Sequence, residues 1–230
     1  MNIFYHSYTD SDFFGKLIFL GLFILSILSW TVLIKKLIIL KSVKSKGKDI
    51  LSKIHHTNLK SLLFHNEELI LDNPFSKVLH AIAIKTSQIL NKNHHFEGGK
   101  NVFLSKSDMQ AIDEFSSITI YKEIKSLGND LFILSTAVSL APFLGILGTV
   151  WGVLICLSEL QKGGSGSNAI ILSGLSTALA TTVLGLVIAI PALIAYNYLK
   201  NALTNIGGEM EGFSFHIISE LELQYKAVDV

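Results

Sequence analysis

Four threonines, Thr149, Thr177, Thr181 and Thr182, lie inside long runs of this 230-residue sequence that hold no Asp, Glu, Lys or Arg. Thr149 belongs to a stripe of small residues at helical spacing, Ala141, Gly145, Gly148, Gly152 and Cys156, in which Gly148 and Gly152 form a G-x-x-x-G pair. Thr182 belongs to a second stripe, Gly174, Ala178, Thr182, Gly185 and Ala189, and Thr177 and Thr181 form an adjacent hydroxyl row. A hydroxyl can donate to a carboxylate or accept from its protonated form, so a ring of threonines suits a group that alternates between the two. The competing use is structural. Small residues let helix backbones approach where no hydrophobic force drives association, and a threonine in an apolar helix often bonds its own i−4 carbonyl. On the pattern alone packing is the simpler account. Two wide stripes nevertheless exceed the needs of one antiparallel helix pair, which favours an oligomer with both stripes turned inward. Pro191, nine residues after Thr182, is expected to kink its helix.

Other reactive residue types offer little. Cys156 is the single cysteine, which excludes an internal disulfide and a cysteine-based zinc site. His55-His56 and His94-His95 are adjacent pairs, whereas ligand pairs on a helix prefer i, i+4 spacing, so no metal site is expected. His80 is expected to pack near an apolar helix face. Glu67-Glu68 and Asp113-Glu114 read as solvated faces. All 19 basic residues are lysines, so no guanidinium clamps phosphate or carboxylate. A net charge of +1 with no basic stripe argues against nucleic acid. The loop Glu159–Asn168 is glycine-rich but does not fit G-x-x-x-x-G-K-[ST]. With no hydrolase triad or nucleotide motif, an enzyme is not expected.

The elements that position the threonines follow from charge distribution. Only 16% of the residues are charged, against ~25% for a soluble domain. The uncharged positions concentrate in residues 17–34, 131–158 and 163–199. A membrane span needs ~20 apolar residues, and each run qualifies. The first is preceded by Asp10 and Asp12 and followed by Lys35 and Lys36, the reverse of a cleaved signal peptide. The second run would form a helix of ~42 Å, and Ala169–Leu199 of the third a helix of ~46 Å, longer than a ~30 Å hydrocarbon core. The excess is expected to continue into the cytoplasm as apolar helix under other protein. Trp151 is expected deep in the second span against a neighbouring helix. Fifteen lysines fall between residues 35 and 125, so the positive-inside rule makes that segment and the tail cytoplasmic and the N-terminus external.

The remaining chain reads as helix. Phe75, Val78, Leu79, Ile82, Thr86, Ile89 and Leu90 keep one helical face after Pro74. Leu59, Leu62, Leu63 and Ile70 suggest an earlier helix, and Asn91–Asn101 a loop. A further helix begins near Ser105–Asp108, its apolar face continuing through Ile120, Ile124 and Leu127 to Leu131. Met210, Phe213, Ile217 and Leu221 mark one more. The expected fold is all-α, a polytopic integral membrane protein with three transmembrane helices and helical cytoplasmic extensions. Its segments are a periplasmic arm (1–16), a first span (17–36), a cytoplasmic helical domain (37–130), a second span (131–158), a periplasmic loop (159–168), a third span (169–199) and a cytoplasmic tail helix (200–230).

APFLGILGTVWGV (Ala141–Val153) and ALATTVLGLVIAIPALIAYN (Ala178–Asn197) resemble the second and third spans of the TolQ/ExbB/MotA proton-channel family. The first span and its sequel, Lys16–Leu40, look most like the TolQ branch. The resemblance implies a pentamer in the inner membrane of a Gram-negative-type bacterium, with the second and third spans around a pore. It implies a TolR- or ExbD-like dimer of single-span helices in that pore, whose intramembrane Asp carries protons, and a TolA- or TonB-like protein that receives the work. Protons are the coupling ion and no cofactor is implied. By motif, the pore threonines correspond to Thr149 and Thr182, with Thr177 and Thr181 beside the pathway. Gly145, Gly148, Gly152, Gly174, Gly185 and Pro191 are implied as helix-packing positions. Many relatives carry a Glu where this chain has Thr177, so a relay role for that Glu does not transfer. An ExbB-like role in TonB-dependent transport and a non-conducting membrane scaffold remain the alternatives.

Overall fold

The computed structural model describes residues 5, 7–9, 11–56, 73–97, 103–161 and 168–225. The expected Leu59–Ile70 helix, Glu67-Glu68 and the loop centre at 162–167 lie outside the described residues, as do the side chains of His55, His56 and His95. Among the described residues five helices carry the fold: α1 (Phe13–His56), α2 (Pro74–Glu97), α3 (Lys106–Gly128), α4 (Leu131–Gln161) and α5 (Asn168–Tyr225). No β-strand occurs among the described residues, and the protein is all-α. Three of the helices, α1, α4 and α5, are long and apolar enough to cross a membrane.

The chain divides into two compact units. The first comprises Met1–Leu37 and Asp130–Lys200, the second Ile38–Asn129 and Asn201–Val230. In the first unit α4 buries Leu131, Leu134, Ala137, Ala141, Gly145 and Gly148, one face at spacings of three and four. On α5 the buried residues include the small Ala178, Thr181, Ala189, Ala192 and Ala195. Leu22, fully buried, heads the α1 contribution. Neither Pro142 nor Pro191 ends its helix.

Polar contacts close both ends of this unit. At one end Asp130 receives Lys35 Nζ at 3.2 Å and Lys36 Nζ at 3.3 Å. At the other, Asp12 caps α1 by accepting the Gly15 N–H at 3.0 Å and accepts the Trp151 indole N–H at 2.9 Å. Phe14 packs on the Trp151 ring with centroids 4.5 Å apart. Asp12 to Lys35 along α1 is ~34 Å and Asp130 to Trp151 along α4 is ~31 Å, both matching a hydrocarbon core of ~30 Å. Trp151 therefore lies level with Asp12 and packs against a neighbouring helix. It packs on the residues just before and within the first turn of α1. Residues 152–161 continue α4 beyond Trp151.

Among its described residues, the second unit packs the α1 continuation, α2, α3 and the α5 tail together. Phe75, Val78, Leu79, Ile82 and Thr86 of α2 are buried, as are Met210, Phe213, Ile217 and Leu221 of α5. Phe75 meets Phe213 edge-on at 5.7 Å, and Gly47 of α1 lies so close to the Phe75 ring that a Cβ there would sit 2.7 Å from it. Ser116 and Ser214 share a buried hydrogen bond of 2.6 Å. Lys77–Glu123 ties α2 to α3 at 2.8 Å, and Lys44–Glu209 ties α1 to α5 at 3.6 Å. Ser105 and Asp108 form a capping box at the start of α3. Burial works to raise the Asp108 pKa, but hydrogen bonds from Ser105 and Asn93, with Lys92 nearby, leave it lowered. Two expectations change here. Residues 91–97 are helical, the last turns of α2, and His80 is exposed rather than packed. It falls beside the buried Val78-Leu79 pair on the outward side of the same turn.

Candidate functional site

The two small-residue stripes face each other across the α4–α5 pair. A Cβ on Gly145 would sit 2.9 Å from Thr182 Cα, one on Gly152 2.7 Å from Ala178 Cβ, and one on Gly185 2.5 Å from the Ala141 carbonyl oxygen. A Cβ on Gly148 would run into the Thr181 side chain, and one on Gly174 would lie 2.5 Å from Cys156 Sγ. The glycines thus bring two antiparallel backbones to near contact, which the sequence pattern offers as the packing reading. Pro191 lies farther along α5 and is exposed.

The close approach exposes one backbone acceptor to several hydroxyls. The Gly145 carbonyl receives Thr149 at 3.1 Å, Thr182 at 3.0 Å and Thr181 at 3.3 Å. Thr149 also donates to the Ala178 carbonyl at 3.2 Å, and Thr181 to the same carbonyl at 2.7 Å. The hydroxyls of Thr149 and Thr182 hydrogen-bond each other across the pair. Three of the four sequence-predicted threonines therefore meet at one point. Their exposures differ: Thr181 is 2% exposed, whereas Thr149 and Thr182 are half-buried at the edge of the pair. Thr177 sits one turn from Thr181 toward Asn168 and is half-exposed. By helix rise Thr149 lies ~28 Å from Asp130, close to the level of Trp151.

This geometry has a chemical consequence. The hydroxyl hydrogens of Thr149, Thr181 and Thr182 are already directed at carbonyls or at each other, so Thr181 is committed to structure. The Thr149–Thr182 pair is bonded yet accessible, and each hydroxyl keeps lone-pair capacity for a further donor. A protonated carboxyl arriving at that edge can donate to it. After the proton leaves, a rotated hydroxyl can donate back to the carboxylate. No side chain of this pair can itself hold a charge near neutral pH.

Two features carry no signal in the threonine pattern. Ser135 and Ser139 are exposed on the α4 row that leads through Pro142 and Ile146 to Thr149. Spacings of 4, 3, 4 and 3 from Ser135 reveal that row once the buried face is known. The Lys35–Lys36–Asp130 cluster was legible only as separate charges at the ends of two runs. Hydrogen bonds from Lys35 and then Lys36 hold the Asp130 carboxyl below the usual carboxylate range. Among the described residues no group of three His, Cys, Asp or Glu is placed to hold a metal ion.

These observations define an all-α protein of membrane-crossing helices whose apolar pair carries an accessible hydroxyl cluster. The MotA/TolQ/ExbB proton channel family has a model that matches residues 77–212, more than half of the sequence, and the chain belongs to that family. It is a multi-pass membrane protein, in a family of proton channels rather than of enzymes. The biopolymer transport protein ExbB of Xanthomonas campestris is 30% identical over 151 residues, covering 64% of this chain and 57% of that protein. ExbB of Helicobacter pylori is 40% identical over 98 residues, 43% of this chain and 64% of that protein. The Tol-Pal system protein TolQ of Haemophilus influenzae is 35% identical over 95 residues, 41% of this chain and 40% of that protein. In each case less than two thirds of the relative's length is matched.

Proposed function

We propose that this chain is the pore-forming stator subunit of a proton-motive-force-driven motor in the inner membrane, of TolQ type. In this reading five copies surround a pore lined by α4 and α5, with α1 toward lipid, the N-terminus periplasmic and the tail cytoplasmic. The pore holds a dimer of single-span helices, TolR-like, whose intramembrane Asp is the titrating group. Protons are the coupling ion, and the work is delivered to a TolA-like protein.

The Thr149–Thr182 pair carries the reading. It is the accessible hydroxyl cluster in a pair of spans that contains no ionisable carboxyl or amine. A charge at the centre of a bilayer costs ~2.5–3.5 kcal/mol or more, so the chain avoids that cost and leaves the titrating group to its partner. One proton crossing 100 mV releases ~2.3 kcal/mol, a similar magnitude to moving one carboxylate past an apolar wall.

Replacing Thr182 with Val tests this role. Val keeps the volume but removes the hydroxyl, so assembly persists while proton-coupled activity is lost. The Thr181→Val variant should instead weaken the helix pair without a specific loss of coupling. Full activity in Thr182→Val would remove the assignment. A second reading, an ExbB-like subunit energising TonB-dependent transport, is favoured by the Xanthomonas and Helicobacter relatives. Co-purification with a TolA-like rather than a TonB-like protein separates the two.

A further inference from the structure

Between Asp130 and the Thr149–Thr182 pair, α4 carries polar groups on the face that leads to the pair. Ser135, Ser139 and Ile146 are exposed on that row, and Pro142 is half-buried between them. By helix rise Ser135 lies ~8 Å, Ser139 ~14 Å and Ile146 ~24 Å from Asp130. The serine hydroxyls are loosely held. Thr31, the exposed hydroxyl of α1 within its span, donates to the Ile27 carbonyl at 2.8 Å, and Thr136 donates to the Phe132 carbonyl at 2.8 Å. Ser139 reaches the Ser135 carbonyl only at 3.3 Å, and the Ser135 hydroxyl makes no hydrogen bond among the described residues. Pro142 lies inside the helix and has no N–H, so the Val138 carbonyl lacks the donor that a helix supplies at that position.

An open hydroxyl and a freed carbonyl are poorly suited to lipid, because hydrocarbon supplies no hydrogen-bond partner and water does. The row also ends at the edge where the Thr149–Thr182 pair is accessible, the edge that the proposed function turns toward the pore. Its character changes before it gets there. From Ser139 to Thr149 the row is ~15 Å long and offers only the Pro142 ring and the exposed Ile146 side chain, with Phe143 and Val150, both exposed, on either side of Ile146. A narrow apolar constriction excludes water by dewetting.

From this order of open hydroxyls, freed carbonyl and apolar turn we infer that the α4 face from Asp130 to Pro142 lines a water-filled half-channel. It opens at the Lys35–Lys36 end, and Ile146 is the barrier that separates it from the Thr149–Thr182 pair. This half-channel rests on the pore reading of the pair and adds the place where the proton leaves. A protonated carboxyl of the partner that moves from the pair past Ile146 meets water beside Ser139. Its O–H bond breaks there, the proton passes to water, and the electron pair stays on the carboxylate, to which Ser135 and Ser139 can donate. A proton with no carboxyl to carry it stops at Ile146.

The test uses the full-length chain assembled with its single-span partner in inside-out membrane vesicles. Ser135→Cys, Ser139→Cys and Ile146→Cys are made singly in a Cys156→Ser background, all at exposed positions. A sulfonate-bearing methanethiosulfonate, which does not cross lipid, reacts with the thiolate, a species that water favours and apolar surroundings suppress. Ser135→Cys and Ser139→Cys should react within about tenfold of Lys122→Cys, an exposed position on α3, and Ile146→Cys about a hundredfold more slowly, the loss of thiolate that desolvation imposes. A further variant, Ile146→Ser, carries hydroxyls across the gap. It should let protons through the complex whose partner has its intramembrane Asp replaced by Asn, where the wild-type chain shows background leakage only. Ser139→Cys as unreactive as Ile146→Cys, Ile146→Cys as reactive as Ser139→Cys, or background leakage through Ile146→Ser would each overturn the inference. The labelling is read without proton flux. No flux from the wild-type complex would remove the motor reading, and the labelling would still decide the half-channel.

Discussion

Gly185→Ala and Gly208→Ala change the same helix by the same methyl group and should move stability in opposite directions. At Gly185 the new Cβ would meet the Ala141 carbonyl oxygen at 2.5 Å and the Gly145 Cα at 3.3 Å. Both are backbone atoms of α4, so no side chain can rotate away. The helices must separate until that 2.5 Å contact reaches about 3.4 Å. Overpacking of this kind costs ~1–3 kcal/mol. Separation also stretches the three hydroxyl-to-carbonyl bonds that cross the pair, from Thr181 and Thr182 to Gly145 and from Thr149 to Ala178, each worth ~0.6 kcal/mol in a membrane helix pair. The better helix propensity of Ala returns ~1 kcal/mol. The net is a loss of about 2–4 kcal/mol. At Gly208 nothing lies within 4 Å of the added Cβ, so only the propensity gain of ~1 kcal/mol remains. Unfolding in mixed detergent micelles, followed by helical circular dichroism, measures both. A Gly185→Ala variant as stable as wild type would refute the facing of the two stripes.

Other consequences can be checked in the same preparation. Thr86 Oγ1 is buried with no hydrogen-bond partner among the described residues, so Thr86→Val should stabilise the second unit by ~1 kcal/mol, read as a higher denaturation midpoint. In a double-mutant cycle, Asp12→Ala and Trp151→Phe should couple by ~1–2 kcal/mol, because the bond joins a charged acceptor to an indole donor; coupling near zero would place the two apart. Because the folded Asp130 pKa is depressed by Lys35 and Lys36, its stabilising contribution is complete above the ordinary carboxylate pKa of ~3.9. That contribution is lost as pH falls through the lower folded value. The stability gap between wild type and Asp130→Asn should be constant from neutral pH to about pH 5 and should close in stronger acid.

The sequence made the spans and the small-residue faces legible because both are periodic along a single helix. Periodicity identifies a face but not what covers it. The stripes of α4 and α5 therefore read as mutual packing first and as pore lining second, and the Gly145–Thr182 and Gly185–Ala141 approaches show what each face meets. The distinction between Thr181, buried against Gly148, and Thr182, half-buried beside Thr149, is a rotation of one residue in helical register. No local pattern encodes it. The partner of Trp151 was hidden for a related reason. Its level is set by Asp12, 139 residues away in sequence, and hydropathy averages along a run cannot locate that partner. His80 shows the limit on a single turn, where a residue next to two buried ones still points outward.

The account rests on a pore in this chain and a titrating carboxyl in another. The most direct measurement is proton flux into vesicles containing this chain co-purified with its single-span partner. It is compared with the same complex in which the partner's intramembrane Asp is replaced by Asn. The account predicts flux under an imposed membrane potential from the first complex and background leakage from the second. It also predicts background leakage from this chain alone. Equal flux from the two complexes, or flux from this chain by itself, would contradict it.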